Sequence, residues 1–195
     1  MVRKISVILP AYNEAEAIGD VLADIRKLAE ERQPHDLFEI VVVDDGSTDD
    51  TAKIAEECGA RVVSHPYNIG NGAAVKAGIR AAGGDVLVLM DADGQHRPEE
   101  IPSLLEKLDD HVMAVGARQR NGHASLPRRI ANAFYNRFAS YVTGRKIPDL
   151  TSGFRAVRSG VARRFLYLLP NTFSYPTTIT RGLAILVTMP ACSAP

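Results

Sequence analysis

Three short, mostly apolar runs, Ile5 to Leu9, Phe38 to Val43 and Val86 to Met90, each give way to a segment that holds at least one acidic residue: Pro10 to Glu14, Asp44 to Asp49 and Asp91 to His96. A continuous apolar run, unlike an alternating one, marks a strand buried on both faces, as in a parallel sheet covered by helices. The stretch after the first run carries Ile18, Val21, Leu22, Ile25 and Leu28 at helical spacing, which predicts a helix to about Arg32. Arg61 to Ser64 reads as a further strand, Gly70 to Ala82 as a helix of small residues, Pro98 to Leu108 as a helix with proline in its first turn, and Val112 to Ala117 as another strand. Strand and helix thus alternate through short loops, the pattern of an α/β domain with a mostly parallel sheet and helices on both faces.

Some local expectations follow. Asn13, with Glu16 three residues on, reads as a capping box for the first helix, and Ser47 or Thr48 as the cap of a short helix to Cys58. Beyond Arg118 the pattern loosens. Leu126 to Val142 suits an amphipathic helix, and Gly153 to Val157 a short strand leading into a helix near Leu168. Residues 181–195 show neither cap nor period and read as an atypical tail, out of frame or at a fragment end.

The chain has 195 residues, enough for one domain with a real core. Lys plus Arg and Asp plus Glu both number 23, so no global field attracts nucleic acid. From Arg118 to Arg164, however, eleven basic residues face a single acid, Asp149, which suits either a local anion-binding surface or a set of solvated helix faces. Cys58 and Cys192 match no metal or redox spacing and fit a reducing compartment. The N-terminus lacks the features of a signal peptide, and the longest late apolar run, Gly182 to Met189, falls far short of the ~20 residues of a spanning helix. A cytoplasmic location is expected, peripheral to the cytosolic face of a membrane.

In open α/β sheets ligands bind beyond the carboxyl ends of the strands, and the informative residues sit there. Asp91-Ala-Asp-Gly-Gln95 follows the strand ending at Met90. Alternate residues of such a segment aim Asp91, Asp93 and Gln95 at one point, and their hard oxygens suit Mg²⁺ or Mn²⁺ bridging the phosphates of a nucleotide. Such an ion neutralises the charge that grows on a departing diphosphate. An isolated Asp-x-Asp more often only caps a turn; the second acidic cluster, Asp44-Asp45-Gly46-Ser47-Thr48-Asp49, reverses those odds. There Gly46 allows a sharp turn, Asp44 or Asp45 suits a base N–H or ribose hydroxyls, and the later residues suit a helix cap. In Pro10-Ala-Tyr-Asn-Glu14, Tyr12 suits packing on a base or ribose and Glu14 suits ribose hydroxyls. Gly70-Asn-Gly72 is a poor dinucleotide fingerprint, because Val75 fills the last small position and the segment follows the third strand. His96 suits a supporting place beside the metal, although a single loop histidine is more often incidental.

Pro-Ala-Tyr-Asn-Glu, Asp-Asp-Gly-Ser-Thr-Asp and Asp-Ala-Asp-Gly-Gln-His, in this order and spacing, resemble the family-2 inverting glycosyltransferases of GT-A fold. Asn68-Ile-Gly-Asn-Gly72 with Lys76 and Gly78, and Thr151-Ser-Gly-Phe-Arg155, are similar to the dolichyl- and polyprenyl-phosphate mannose synthase branch, and the likeness runs from about Ile5 to Thr180. The resemblance implies that Pro10, Tyr12, Glu14, Asp44, Asp45 and Lys76 lie around the donor and that Asp91, Asp93 and Gln95 hold the metal. It further implies that Arg118, with Arg128 or Arg129, binds the donor diphosphate and the acceptor phosphate, with Asn121 to Ser125 as a hinge. For Arg128 and Arg129 a solvated helix start is the competing reading.

The implied reaction moves a hexose, mannose foremost, from GDP-mannose or a UDP-hexose to a polyprenyl phosphate with inversion, metal-assisted through Asp93. A phosphomonoester has a second pKa of about 6, so such an acceptor is already an anion near neutrality and attacks without a general base. A sugar hydroxyl acceptor needs one, and Asp149 is the candidate, though a turn after Pro148 explains it as well. The alternatives are therefore a family-2 enzyme with a hydroxyl acceptor, or a silent nucleotide-binding fragment. Residues 1–118 are expected to form the nucleotide-sugar half and 119–180 an acceptor half, the latter incomplete.

Overall fold

The computed structural model describes residues 2–109, 111–116, 152–171 and 178. Six strands form one sheet: β1 (Arg3–Ala11), β2 (Asp36–Asp44), β3 (Arg61–Ser64), β4 (Val86–Leu89), β5 (Met113–Val115) and β6 (Arg155–Arg158), in the order β3-β2-β1-β4-β6-β5. β1, β2, β3 and β4 run parallel, while β6 is antiparallel to both β4 and β5. The helices are α1 (Ile18–Arg32), α2 (Thr51–Glu57), α3 (Asn71–Ala81), α4 (Ile101–Leu108, after a 3-10 turn at Pro98–Glu100) and α5 (Ser159–Phe165).

Strand residues divide between two cores by parity, since successive side chains point to opposite faces. Ile5, Val7 and Leu9 of β1 join Ile18, Leu22 and Ile25 of α1 and Leu104 of α4 on one face. Ile8, with Val41 and Val43 of β2, packs on Ala74, Val75 and Ile79 of α3 on the other. The small residues of α3 have a purpose there. A Cβ on Gly78 would lie 2.3 Å from Ile8 Cγ2, so glycine lets the helix settle directly on β1.

The expected elements form, with boundaries shifted by a few residues. The cap assignments at Asn13, Ser47 and Thr48 do not hold. α1 begins only at Ile18, with no side-chain bond at its cap, and Asn13 sits at φ 56° inside the preceding loop. α2 begins at Thr51, where Asp49 rather than Ser47 or Thr48 accepts the Thr51 N–H. The reason is competition: the loops after β1 and β2 emerge side by side, and their amides take partners from each other. The helix expected at Leu126 to Val142 and the tail 181–195 lie outside the described residues.

At the rim opposite the acidic loops an open cleft of about 390 Å³ is lined by Val2, Arg3, His35, Asp36 and Asp109. Its charges answer one another. Arg3 Nε and Arg32 Nη2 donate to Asp36 at 2.9 and 2.7 Å. Burial alone would raise the Asp36 carboxyl, but the two guanidiniums hold it below the usual carboxylate range.

Candidate functional site

Strand register builds the site. Ala11 pairs with Asp44, and Ile8 with Leu89, so the chain leaves β1, β2 and β4 at one rim. The Asp45 N–H donates to the Ala11 carbonyl at 2.9 Å and the Met90 N–H to the Ile8 carbonyl at 3.1 Å, extending the pairing to the mouth of the loops.

The first two loops are stitched together. The Asn13 N–H donates to Ser47 Oγ (3.0 Å), the Thr48 N–H to Asn13 Oδ1 (2.8 Å), the Glu14 N–H to Thr51 Oγ1 (2.8 Å) and the Ala15 N–H to Asp49 Oδ2 (3.1 Å). Four loop amides are thereby satisfied without regular structure. Tyr12 stays 44% exposed at the edge of this patch, with its ring presented to solvent.

Asp45 is only 3% exposed and accepts three bonds: from His65 Nδ1 (2.7 Å), the Ile69 N–H (3.1 Å) and the Gly70 N–H (2.7 Å). It fixes the 65–70 segment that leads into α3. Asp44, also buried, accepts the Ser47 N–H at 3.1 Å. Between Asp44 and Ser47, Gly46 has φ 74°, and a Cβ there would lie 2.5 Å from the Tyr67 carbonyl carbon. The Lys76 amine donates to the Leu169 carbonyl at 3.1 Å and to Asn171 Oδ1, tying α3 to the segment beyond α5.

The third loop holds Asp91, Asp93 and Gln95. Gly94 at φ 71° reverses the chain, the Gln95 N–H donates to Asp93 Oδ1 at 3.0 Å, and the Gln95 side chain is exposed. Asp91 is 22% exposed and backed by Gly153, where a Cβ would come within 2.5 Å of Asp91 Oδ2. Next to Gly153, Phe154 stacks on the His96 ring (centroids 5.2 Å, interplanar angle 22°).

The carboxylates feel one another. Glu14 is pushed above the usual glutamate range, first by burial and then by the charges of Asp93, Asp49 and Asp91. A carboxyl raised in this way stabilises the fold fully below its unfolded value of 4.5, and that contribution is lost as pH rises through the folded value. Glu14→Gln is therefore expected to raise Tm at neutral pH by about 1–2 °C, with the gain vanishing near pH 4, while nucleotide affinity falls. Thermal unfolding across pH, beside nucleotide titration, checks both.

Hard oxygens gathered on neighbouring loops at one rim are a donor set suited to a divalent cation. Among the described residues no three His, Cys, Asp or Glu side chains form a complete cage. An ion shared with a ligand's phosphates needs only one or two protein carboxylates, and the buried His96 Nε2, which lacks a hydrogen-bond partner, lies 3.6 Å from Asp91 Oδ2. The residues fit such an ion.

His65, Gly153 and Phe154 carry structural roles that residue patterns left unassigned. His65 stands 20 positions from Asp45, with no local signal to join them. Gly153 and Phe154 were visible only as part of a motif. Arg118, Arg128, Arg129 and Asp149 lie outside the described residues.

A parallel sheet closed by the antiparallel β6, with acidic loops meeting at one rim, defines the GT-A class of glycosyltransferase domains. Within it the chain belongs to glycosyl transferase family 2, whose model matches residues 6–166. The undecaprenyl-phosphate 4-deoxy-4-formamido-L-arabinose transferase of Proteus mirabilis is 33% identical over 191 residues, 90% of this chain and 58% of the relative. The like-named protein of Klebsiella pneumoniae is 33% identical over 190 residues, 89% of this chain and 57% of its own. The chain thus spans somewhat over half the length of these relatives. Among solved structures, the glucosyl-3-phosphoglycerate synthase of Mycobacterium tuberculosis in complex with Mn²⁺ and uridine-diphosphate-glucose superposes with a TM-score of 0.73 at 27% identity, covering 94% of this chain and 66% of that one.

Proposed function

We propose that this domain transfers a sugar from a uridine-diphosphate donor to the phosphate of a polyprenyl lipid. The observation that carries the proposal is the strand register that brings the loops after β1, β2 and β4, with Glu14, Asp49, Asp91 and Asp93, to one rim of the sheet. The donor and metal draw support from the synthase bound to Mn²⁺ and uridine-diphosphate-glucose, and the acceptor from the relatives named for undecaprenyl phosphate. Mannose, the sugar expected from sequence resemblance, has no counterpart in those names, which specify an arabinose derivative. The proposal accordingly leaves GDP-mannose for a uridine donor.

Pro10, Tyr12 and Glu14 bind the nucleoside, with Tyr12 offering its exposed ring to the base. Asp45 acts from beneath, holding the turn at Ile69 and Gly70. Asp91 and Asp93, with Gln95 at the outer edge, hold Mg²⁺ or Mn²⁺. When bound, the ion offsets charge growing on the departing diphosphate. Arg118, Arg128 and Arg129 supply positive charge for the phosphates. The acceptor phosphate is largely a dianion above its second pKa of about 6 and needs no general base, so Asp149 is not required as one. A lipid acceptor brings the domain to a membrane surface, on the cytosolic side; among the described residues no helix is long and apolar enough to cross a membrane.

Calorimetry with UDP and GDP, each with and without Mn²⁺, followed by transfer from UDP-sugars to a short polyprenyl phosphate, tests the proposal. UDP is expected to bind at least about tenfold more tightly with Mn²⁺, a difference of about 1.4 kcal/mol. Preference for GDP-mannose would restore the mannose assignment. Absence of any nucleotide binding would remove the proposal altogether.

A further inference from the structure

Both ends of the connection from β3 to α3 rest on one buried carboxylate. At its start the His65 Nδ1–H donates to Asp45 Oδ1 at 2.7 Å, with the His65 side chain 14% exposed. At its finish the Ile69 and Gly70 N–H groups donate to Asp45 Oδ1 and Oδ2. The His65 backbone N–H also donates to the Asp44 carbonyl at 2.8 Å, just beyond the last register pair of β2 and β3, Asp44 with Ser64. Residues 66–68 are therefore the exposed crown of a closed arch, and Tyr67 there is 67% exposed. Of the three donors that hold Asp45, His65 alone uses a side chain. An exposed ring on a backbone held this firmly suits a recognition surface.

We propose that His65 is a positioning residue for the donor nucleoside, fixing through Asp45 the arch that carries Tyr67. This rests on the reading that a nucleotide sugar binds at this rim. The sheet order β3-β2-β1-β4 lays the rim out in a row. The arch follows β3, the Gly46 turn follows β2, Tyr12 follows β1, and Asp91 and Asp93 follow β4. Tyr67 and Tyr12 thus stand on either side of the Gly46 turn, on strands about 10 Å apart. Aromatic side chains of this kind are what a planar base stacks on. The acidic end lies one strand beyond Tyr12, so base and diphosphate fall at opposite ends of the row. Because a carboxylate oxygen only accepts, the His65 proton lies on Nδ1, and its loss frees one foot of the arch at the nucleoside end.

Calorimetry on the full chain tests this with uridine, with UDP and, as a probe of the acidic end alone, with pyrophosphate and Mn²⁺. His65→Leu is expected to weaken uridine and UDP by about tenfold, the scale of one hydrogen bond to a charged group. In transfer assays it should raise the donor KM by more than it lowers kcat, and pyrophosphate affinity should stay as it is. His65→Asn, whose amide nitrogen stands where Nδ1 does, should restore most of the uridine affinity. Equal weakening of all three ligands would make His65 a support of the fold alone and overturn the inference. Unchanged uridine affinity in a folded His65→Leu protein overturns it too. If His65→Leu does not fold, ¹⁵N-histidine spectra of the unsubstituted protein decide. The His65 Nδ1–H signal should shift with uridine and not with pyrophosphate, and a signal unmoved by uridine overturns the inference. An unsubstituted protein that binds neither uridine nor UDP overturns the inference and the donor assignment together.

Discussion

Gly46→Ala is expected to lower stability by about 3 kcal/mol and to abolish measurable nucleotide binding. The left-handed conformation at φ 74° costs an alanine about 1–2 kcal/mol. The added Cβ then meets the Tyr67 carbonyl carbon at 2.5 Å, the Tyr67 Cα at 2.6 Å and the Asn68 nitrogen at 2.8 Å. All three are backbone atoms and cannot swing aside, so one loop must leave the other. The 65–70 segment is the one Asp45 holds, so its displacement breaks the three bonds to that carboxylate. For a domain of this size the loss corresponds to a fall of about 6–12 °C in Tm. Thermal unfolding and UDP titration measure the two effects, and a variant with unchanged Tm would show that this contact is not the constraint described.

The second large effect is catalytic. Asp91→Asn should fold normally and lose transfer by about a thousandfold, the scale of removing a charge that stabilises a developing anion. Asparagine keeps the shape against Gly153 but removes the negative charge. Metal-free nucleotide binding should change little, because the proposed nucleoside contacts, Tyr12 and Glu14, lie on another loop. Tm should hold or rise slightly as repulsion on Glu14 eases. This pattern, a collapse of kcat with folding intact, separates Asp91 from Gly46, whose loss is structural first. Full turnover by a folded Asp91→Asn protein would remove the cation from the mechanism.

Much of this was legible in the residues alone. The runs at Ile5, Phe38 and Val86 read as parallel strands because they alternate with helical patterns through short loops, and the polar segments after them then fall at one rim. Asp91 and Asp93 followed from that placement. What could not be read was cross-loop bonding. Asn13, Ser47 and Thr48 have the chemistry of caps, and only the adjacency of two loops redirects them to each other. Asp45 was readable as a buried strand-end acid, but its three partners between His65 and Gly70 come from the neighbouring connection. Lys76 reads as a substrate contact by its motif, and its link to Leu169 and Asn171 joins residues more than 90 positions apart. Local chemistry names the groups; topology chooses their partners.

β6 sits inside β5 in the sheet although it is translated after it. As the polypeptide leaves the ribosome, the bare edge of β4 must therefore wait, exposing Val86 to Leu89 to mispairing with the earlier β5 or with another nascent chain. The same delayed strand carries Gly153 and Phe154 to the backs of Asp91 and His96. Completion of the loop after β4 is thus tied to insertion of β6, and a ribosome stalled before residue 155 holds a product in which Asp91 and His96 have not yet met Gly153 and Phe154.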